Sequence, residues 1–187
     1  DQAPGDEMLN RYHSDLVNRL NRGELIHADS IRFADSLKVR TLRLGRTVYG
    51  GGGIMPDYFV PLDTARYTTY HRRCAAQGIF NQTVAAYIEH HRAELQRRYK
   101  QFADFSRKFQ VGEELLADFR QRADKAGIAF DSVEYQRSGP LMTLQLKALL
   151  ARDLWDMNEY YAVINASNAS VQQALKILTD GFYEQLL

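Results

Sequence analysis

Apolar residues recur at two different periods along this chain, and the change from one to the other falls just after residue 60. Between Asp6 and Arg22, Leu9, Tyr12, Leu16 and Leu20 repeat at helical spacing, with Gly23 placed to stop the helix. Asp29 to Leu37 reads as a short second helix whose apolar contacts are Ile31, Phe33 and Leu37. From Lys38 to Leu44 the pattern alternates, Val39 and Thr41 against Arg40, Leu42 and Leu44. That alternation predicts a strand, Gly45-Arg46 as a turn, and a second strand over Thr47 to Tyr49. Tyr58 to Val60 is a further β-rich run, reached through four consecutive glycines and the rigid Met55-Pro56 step.

After Pro61 the strand signal fades and helical spacing takes over. Thr68 to Gln77 predicts a helix stopped by Gly78. Asn81 or Thr83 then caps a long helix in which Val84, Tyr87, Ile88, His91, Leu95, Tyr99 and Phe102 trace one apolar face, extending toward Phe105 or Phe109. Leu115, Leu116, Phe119 and Ala123 carry a helix from Glu113 to Ala126, ended by Gly127. Asp131 to Arg137 predicts a short helix that Gly139-Pro140 interrupts. Leu141 to Ile164 is the longest candidate, with Leu144, Leu149, Leu150, Leu154, Met157, Tyr160 and Tyr161 on a broad buried face. Asn168 or Ser170 opens a last helix through Val171, Leu175, Leu178 and Phe182. The expected fold is therefore mainly α with a small β portion: short strands, then a helical bundle. The division falls between Val60 and Ala65, giving domains 1–62 and 63–187.

Composition narrows the function classes. In 187 residues, 24 basic and 23 acidic side chains nearly cancel, so no general electrostatic drive toward nucleic acid or a membrane surface exists. No apolar run reaches the length of a membrane span, and Cys74, the one cysteine, makes neither an internal disulfide nor a cysteine metal site. The start, Asp1-Gln2-Ala3-Pro4-Gly5, has no initiator Met and no signal-like segment, and reads as a processed product or a part of something longer.

The glycines at 50–53 suggest a phosphate cradle, but no Lys followed by Ser or Thr comes after them and no helix start lies within reach. Aromatic and branched residues on both sides mark a joint between buried segments instead of a flexible linker. The run also resembles a segment near the end of the peptidase domain in C-terminal processing (tail-specific) serine proteases. Gly45, Arg46, Gly50, Gly53, Ile54, Pro56, Asp57 and Val60 carry the match, with Gly23-Glu24 and Asp29-Ser30-Ile31 before it and a long helical tail after it. The four-glycine form departs from simpler members and is closer to envelope-associated members with a large helical C-terminal extension.

The resemblance implies that residues 1–62 are the C-terminal remnant of a peptidase domain and 63–187 an appended helical domain. In that family a serine hydroxyl attacks the peptide carbonyl and a buried neutral lysine takes its proton. Both residues precede the glycine segment, in contexts this chain lacks. The chain is thus expected to be inactive and structural, with no catalytic residue, cofactor or metal of its own. Its partners would be the rest of the parent protease and, through it, a protein or peptide substrate, with a homodimer also open. The expected location is the periplasm or cell envelope. The alternative is an independent helical interaction or dimerisation module with no hydrolytic role.

Other candidate chemistry has plainer readings. Ser14 and Lys38 are spaced like a Ser/Lys dyad, yet Ser14 sits on a predicted helix face and Lys38 opens a strand. His90-His91 with Glu94 lacks the His-Glu-x-x-His order of a zinc helix, because adjacent side chains diverge by about 100°. A half-buried His91 beside a solvated His90 is expected. Arg92, Arg97, Arg98 and Lys100 with Tyr87 and Tyr99 form a stripe that Glu89, Glu94 and Asp104 dilute, as on a solvated helix face. Asn81-Gln82-Thr83, Asn165-Ala166-Ser167 and Asn168-Ala169-Ser170 fit the glycosylation pattern, and helix capping accounts for the same residues. Trp155, Tyr160, Tyr161, Phe182 and Tyr183 are expected in the core, with a peptide groove or protomer interface as the alternative.

Overall fold

The structure is a computed structural model that describes Ser14 and residues 17–24, 26–27, 30, 35–43, 45–50 and 58–182. The chain divides between Asp63 and Thr64 into two units. It is mainly helical with a small antiparallel sheet.

In the N-terminal unit, Ser14 and residues 17–21 are helical, and Gly23 follows them with φ +78°. Glu24 closes this corner by accepting from Arg22 Nε at 2.6 Å and Arg19 Nε at 3.1 Å. The Arg22 hydrogen bond is the main cause that holds the Glu24 carboxyl below the usual carboxylate range. Strands β1 (Lys38–Arg40) and β2 (Thr47–Tyr49) pair antiparallel, with Val39 opposite Val48. The strand expected to reach Leu44 stops at Arg40, because Thr41 turns the chain: its N–H donates to Arg46 O, and its hydroxyl accepts from Arg46 N–H. Gly45 completes the turn at φ +61°, a conformation that favours glycine. Tyr58 to Val60 form no strand, so the expected third strand is absent among the described residues.

The helical unit is built from α1 (Thr69–Ala76), α2 (Ile79–Arg98), α3 (Phe102–Lys108), α4 (Glu113–Lys125), α5 (Ser132–Leu154), α6 (Met157–Asn165) and α7 (Ala169–Thr179). Helix α5 packs against α1, α2 and α6, and α2 also packs against α1 and α4. The core between them includes Cys74, Ile79, Val84, Phe105, Phe119, Met142, Leu146 and Leu150, all essentially inaccessible.

Several sequence expectations for the helical unit need correction. Helix α2 begins at Ile79 after left-handed Gly78, so neither Asn81 nor Thr83 caps it. Thr83 instead lies a turn inside, donating its hydroxyl to Ile79 O at 2.8 Å. The long helix ends at Arg98, where Tyr99 turns inward and meets Phe105 and Phe109 edge-on at 5.6 and 6.0 Å. Aromatic burial there outweighs helix continuation, and α3 starts anew.

Gly139-Pro140 does not interrupt α5. Proline leaves the carbonyl four residues earlier without its donor, but Gln136 and Pro140 both face solvent, where water can satisfy that oxygen. Ser138, Leu141, Met142 and Leu146 meanwhile keep one continuous buried face across the proline. The expected 141–164 helix, by contrast, breaks at Trp155 (φ −126°, ψ −95°), and Asp156 caps α6 by accepting from Met157 N–H. Asn168 caps α7, which ends at Thr179 short of Phe182.

Two chain reversals follow sequence rules closely. After α4, Gly127 adopts φ +71°, its N–H reaching Asp124 O and the Ile128 N–H reaching Ala123 O, both at 2.9 Å. Asp131 Oδ1 then accepts from Val133 and Glu134 N–H at 2.9 Å, opening α5.

Candidate functional site

The main concentration of buried polar groups in the helical unit is a seam between α1 and α5. Thr68 caps α1, accepting from His71 N–H, and its hydroxyl donates to Ser138 Oγ at 3.2 Å. Ser138 in turn donates to Glu134 O at 2.8 Å, a back-bond within α5. Glu134 Oε2 accepts from Tyr70 N–H at 2.5 Å, so a carboxylate of α5 satisfies an orphan donor at the start of α1. His71, 4% exposed, holds Gln145 Oε1 with Nε2 at 2.8 Å, which makes that nitrogen the protonated one. Its Nδ1 is buried with no hydrogen-bond partner among the described residues.

The His71 ring sits among aromatics, edge-on to Tyr67 at 5.5 Å and tilted to Phe80 at 5.6 Å. One residue earlier, the buried Tyr70 hydroxyl lies against the Cys74 thiol, one helical turn on along α1, and has no oxygen or nitrogen partner among the described residues. Burial pushes the Tyr70 hydroxyl up and the Cys74 thiol up to about 11. A thiol so protonated is a poor nucleophile. The seam holds α1 to α5 through hydrogen bonds between residues about seventy positions apart. It offers no base beside a nucleophile, since Ser138 faces a hydroxyl, a carbonyl and the Met142 sulfur.

A half-buried cation lies at the end of α3. Lys147 Nζ donates to Ser106 O and Phe109 O, each at 2.8 Å, and sits 5.9 Å from the Phe105 ring centre. Burial lowers its pKa. The two carbonyls take two of its three N–H donors, and its position at the carboxyl end of α3 complements the helix dipole.

The glycine-segment residues divide. Gly45 and Arg46 form the hairpin turn, and Gly50 donates its N–H to Leu37 O at 2.7 Å, lengthening the ribbon. Among the described residues, a Cβ on Gly50 would meet nothing closer than Leu37 O at 3.7 Å. Val60 is half-buried in irregular chain, and Gly53, Ile54, Pro56 and Asp57 lie outside the described residues. Ser14 is exposed, and Lys38, half-exposed, pairs with Asp35 at 2.5 Å, unlike the desolvated amine a Ser/Lys dyad needs.

His91 is half-buried, stacked on Tyr87 at 4.2 Å and within 3.3 Å of Glu114 and 3.9 Å of Glu94, while His90 is exposed. No cluster of metal-ligating side chains occurs among the described residues. Arg92, Arg97, Arg98 and Lys100 are exposed, but Tyr99 is buried and Tyr87 is covered by His91. The stripe therefore presents charges without the open aromatic faces on which bases stack.

Asn81 accepts from Arg152, Asn165 O accepts from Gln172, and Asn168 is the α7 cap. Trp155 packs against Phe102 and Phe105, and Tyr160 lies against the core, whereas Tyr161 is 55% exposed and Phe182 37%. Tyr183 lies outside the described residues. No helix among those described is long and apolar enough to cross a membrane.

The sequence pointed to none of the seam residues. Thr68, Ser138, Glu134 and Gln145 are ordinary helix residues in one dimension, and His71 carries no motif. The weak local signal was a histidine within a helical run whose neighbours, Tyr70 and Cys74, face inward.

Residues 70–156, from α1 through Asp156, match the model of a family of unknown function, DUF8443. The matched span contains the α1–α5 seam, apart from Thr68, and the Lys147 contact. No curated protein and no solved structure matches the chain.

Proposed function

We propose that this chain is the C-terminal part of a serine endopeptidase of the C-terminal processing family. On this reading residues 1–62 are the closing strands of the peptidase domain, and the reactive serine and lysine lie upstream. The helical unit is a structural appendage, and the protein works in the periplasm or cell envelope. The observation that carries the reading is the β1–β2 hairpin. Its turn holds left-handed Gly45 beside Arg46, at the start of the run that resembles the protease segment. Among the described residues the ribbon has two strands, with Val39 and Val48 both exposed. Such a ribbon is marginal alone and is better suited to a place in a larger sheet. The interior of the helical unit supports a structural role, because its buried polar groups tie helices together and pair no nucleophile with a base.

The test begins with the reading frame that encodes these residues. It is expected to carry a Ser/Lys pair in small-residue and Gly-Lys-Gly contexts upstream. The full product should degrade an unstructured polypeptide and lose that activity on substitution of either residue by Ala. The 187-residue chain should show none. A frame without that pair, or cleavage by the short chain that disappears on Ser14→Ala, overturns the proposal.

A further inference from the structure

Helix α5 is attached to the helical unit unevenly on the two sides of Gly139-Pro140. After the proline, Leu141, Met142, Leu146 and Leu150 are all buried; before it, Ser138 is the one buried residue of the helix. Upstream, the chain is next anchored at Ile128, which is fully buried. Residues 129–138 therefore run between two fixed ends, with no buried side chain from Ala129 to Arg137 and with Phe130 52% and Val133 65% exposed. Both ends carry residues suited to a hinge: Gly127 at φ +71° on one side, and on the other Gly139 and Pro140, the two poorest helix formers. A Cβ on Gly139 would meet no described atom within 4 Å, so packing against the described residues does not require glycine there.

The start of α1 crosses this joint. On one side of Gly139-Pro140, Glu134 accepts from Tyr70 N–H and Ser138 accepts from the Thr68 hydroxyl; on the other, Gln145 holds His71. Phe130 and Tyr135 meet the Tyr70 ring edge-on at 5.8 and 6.1 Å, and Tyr135 also accepts from Arg120 of α4. We infer that residues 129–138 form a flap that swings about Gly127 and Gly139-Pro140, latched shut by Thr68 and Tyr70, and that it opens while the rest of α5 stays in the core. Opening breaks the polar contacts of Glu134 and Ser138 and uncovers Tyr70, which lies against Cys74. It withdraws one fully buried side chain, Ser138, so it costs far less than unfolding the unit. The flap lies wholly within the helical unit and does not depend on the peptidase reading.

Residue-resolved amide exchange of the 187-residue chain under native conditions tests it. The amides of Tyr135 to Ser138 should share one protection factor, roughly 10-fold or more below that of Leu146 to Leu150. That shared protection should change little in low urea, because a partial opening exposes little surface. Gly139→Ala/Pro140→Ala should raise it by roughly 10-fold or more, since both substitutions favour an unbroken helix, and Glu134→Ala should lower it by loosening the latch. Equal protection on the two sides of Gly139-Pro140 overturns the proposal. So does protection that climbs step by step from Tyr135 to Ser138, the mark of a fraying helix end, or flap protection that the double substitution leaves unchanged. Protection indifferent to Glu134→Ala overturns the latch.

Discussion

The β1–β2 hairpin and the α1–α5 body carry different kinds of information. The hairpin holds Gly45 and Arg46 of the family-like motif, yet its strand residues are exposed or half-buried and its register rests on backbone bonds and one turn. The helical body, which holds the span matched by the family model at residues 70–156, interlocks around Phe105, Phe119 and Leu150 with no solvent contact. A glycine turn is recognisable because few residues fit it, whereas a core is built from interchangeable apolar residues.

The sharpest test of that contrast is Phe119→Ala. Phe119 is fully buried and lies 4.8 Å from the Phe80 ring, so its truncation is expected to destabilise the helical unit by about 3–5 kcal/mol, read by urea unfolding followed by far-UV circular dichroism. A cost under about 1 kcal/mol would mean that the body is far looser than its packing indicates.

An intermediate effect comes from pH. The native Cys74 thiol is raised from the ordinary value of 9.0 to about 11. Below pH 9 it is protonated in both states, and its full contribution to stability is present. Between 9 and about 11 the unfolded chain ionises while the native one does not, so stability falls as pH rises through that window. Thermal melts of the wild type and Cys74→Ala across that range should converge with rising pH, because the variant lacks this slope. Parallel curves would show that the thiol is not sealed.

The smallest effect belongs to the hairpin. Gly45→Val forces a branched residue to φ +61°, at about 1–2 kcal/mol, with no Cβ contact to the described residues to add to it. Faster amide exchange across the β1–β2 ladder is expected. Unchanged exchange would mean that the turn relaxes to another conformation without loss of pairing.

Much of the fold was legible because amphipathic spacing, Gly127, Asp131 and Asn168 each act through near neighbours. Spacing misled where burial decided between equal local options. Tyr99 continues the apolar stripe of α2 but packs better by turning toward Phe105. Trp155 lies on the stripe of α5 but ends the helix and settles on Phe102 and Phe105. Pro140 looked like a stop, and its position on the solvent face is not visible in one dimension. The seam escaped for the same reason: Thr68 meets Ser138, and His71 meets Gln145, only after α1 is laid on α5. Of the glycine segment, Gly45 was readable as a turn, whereas no described neighbour of Gly50 requires a glycine there.

The sealed sulfur on α1 has a practical consequence. Because the chain has a single cysteine and its side chain is wholly enclosed, a thiol-reactive dye added to the native protein should stay colourless until the α1 region opens. The rate of colour development then times those openings, so the protein carries its own stopwatch and no probe has to be engineered into it.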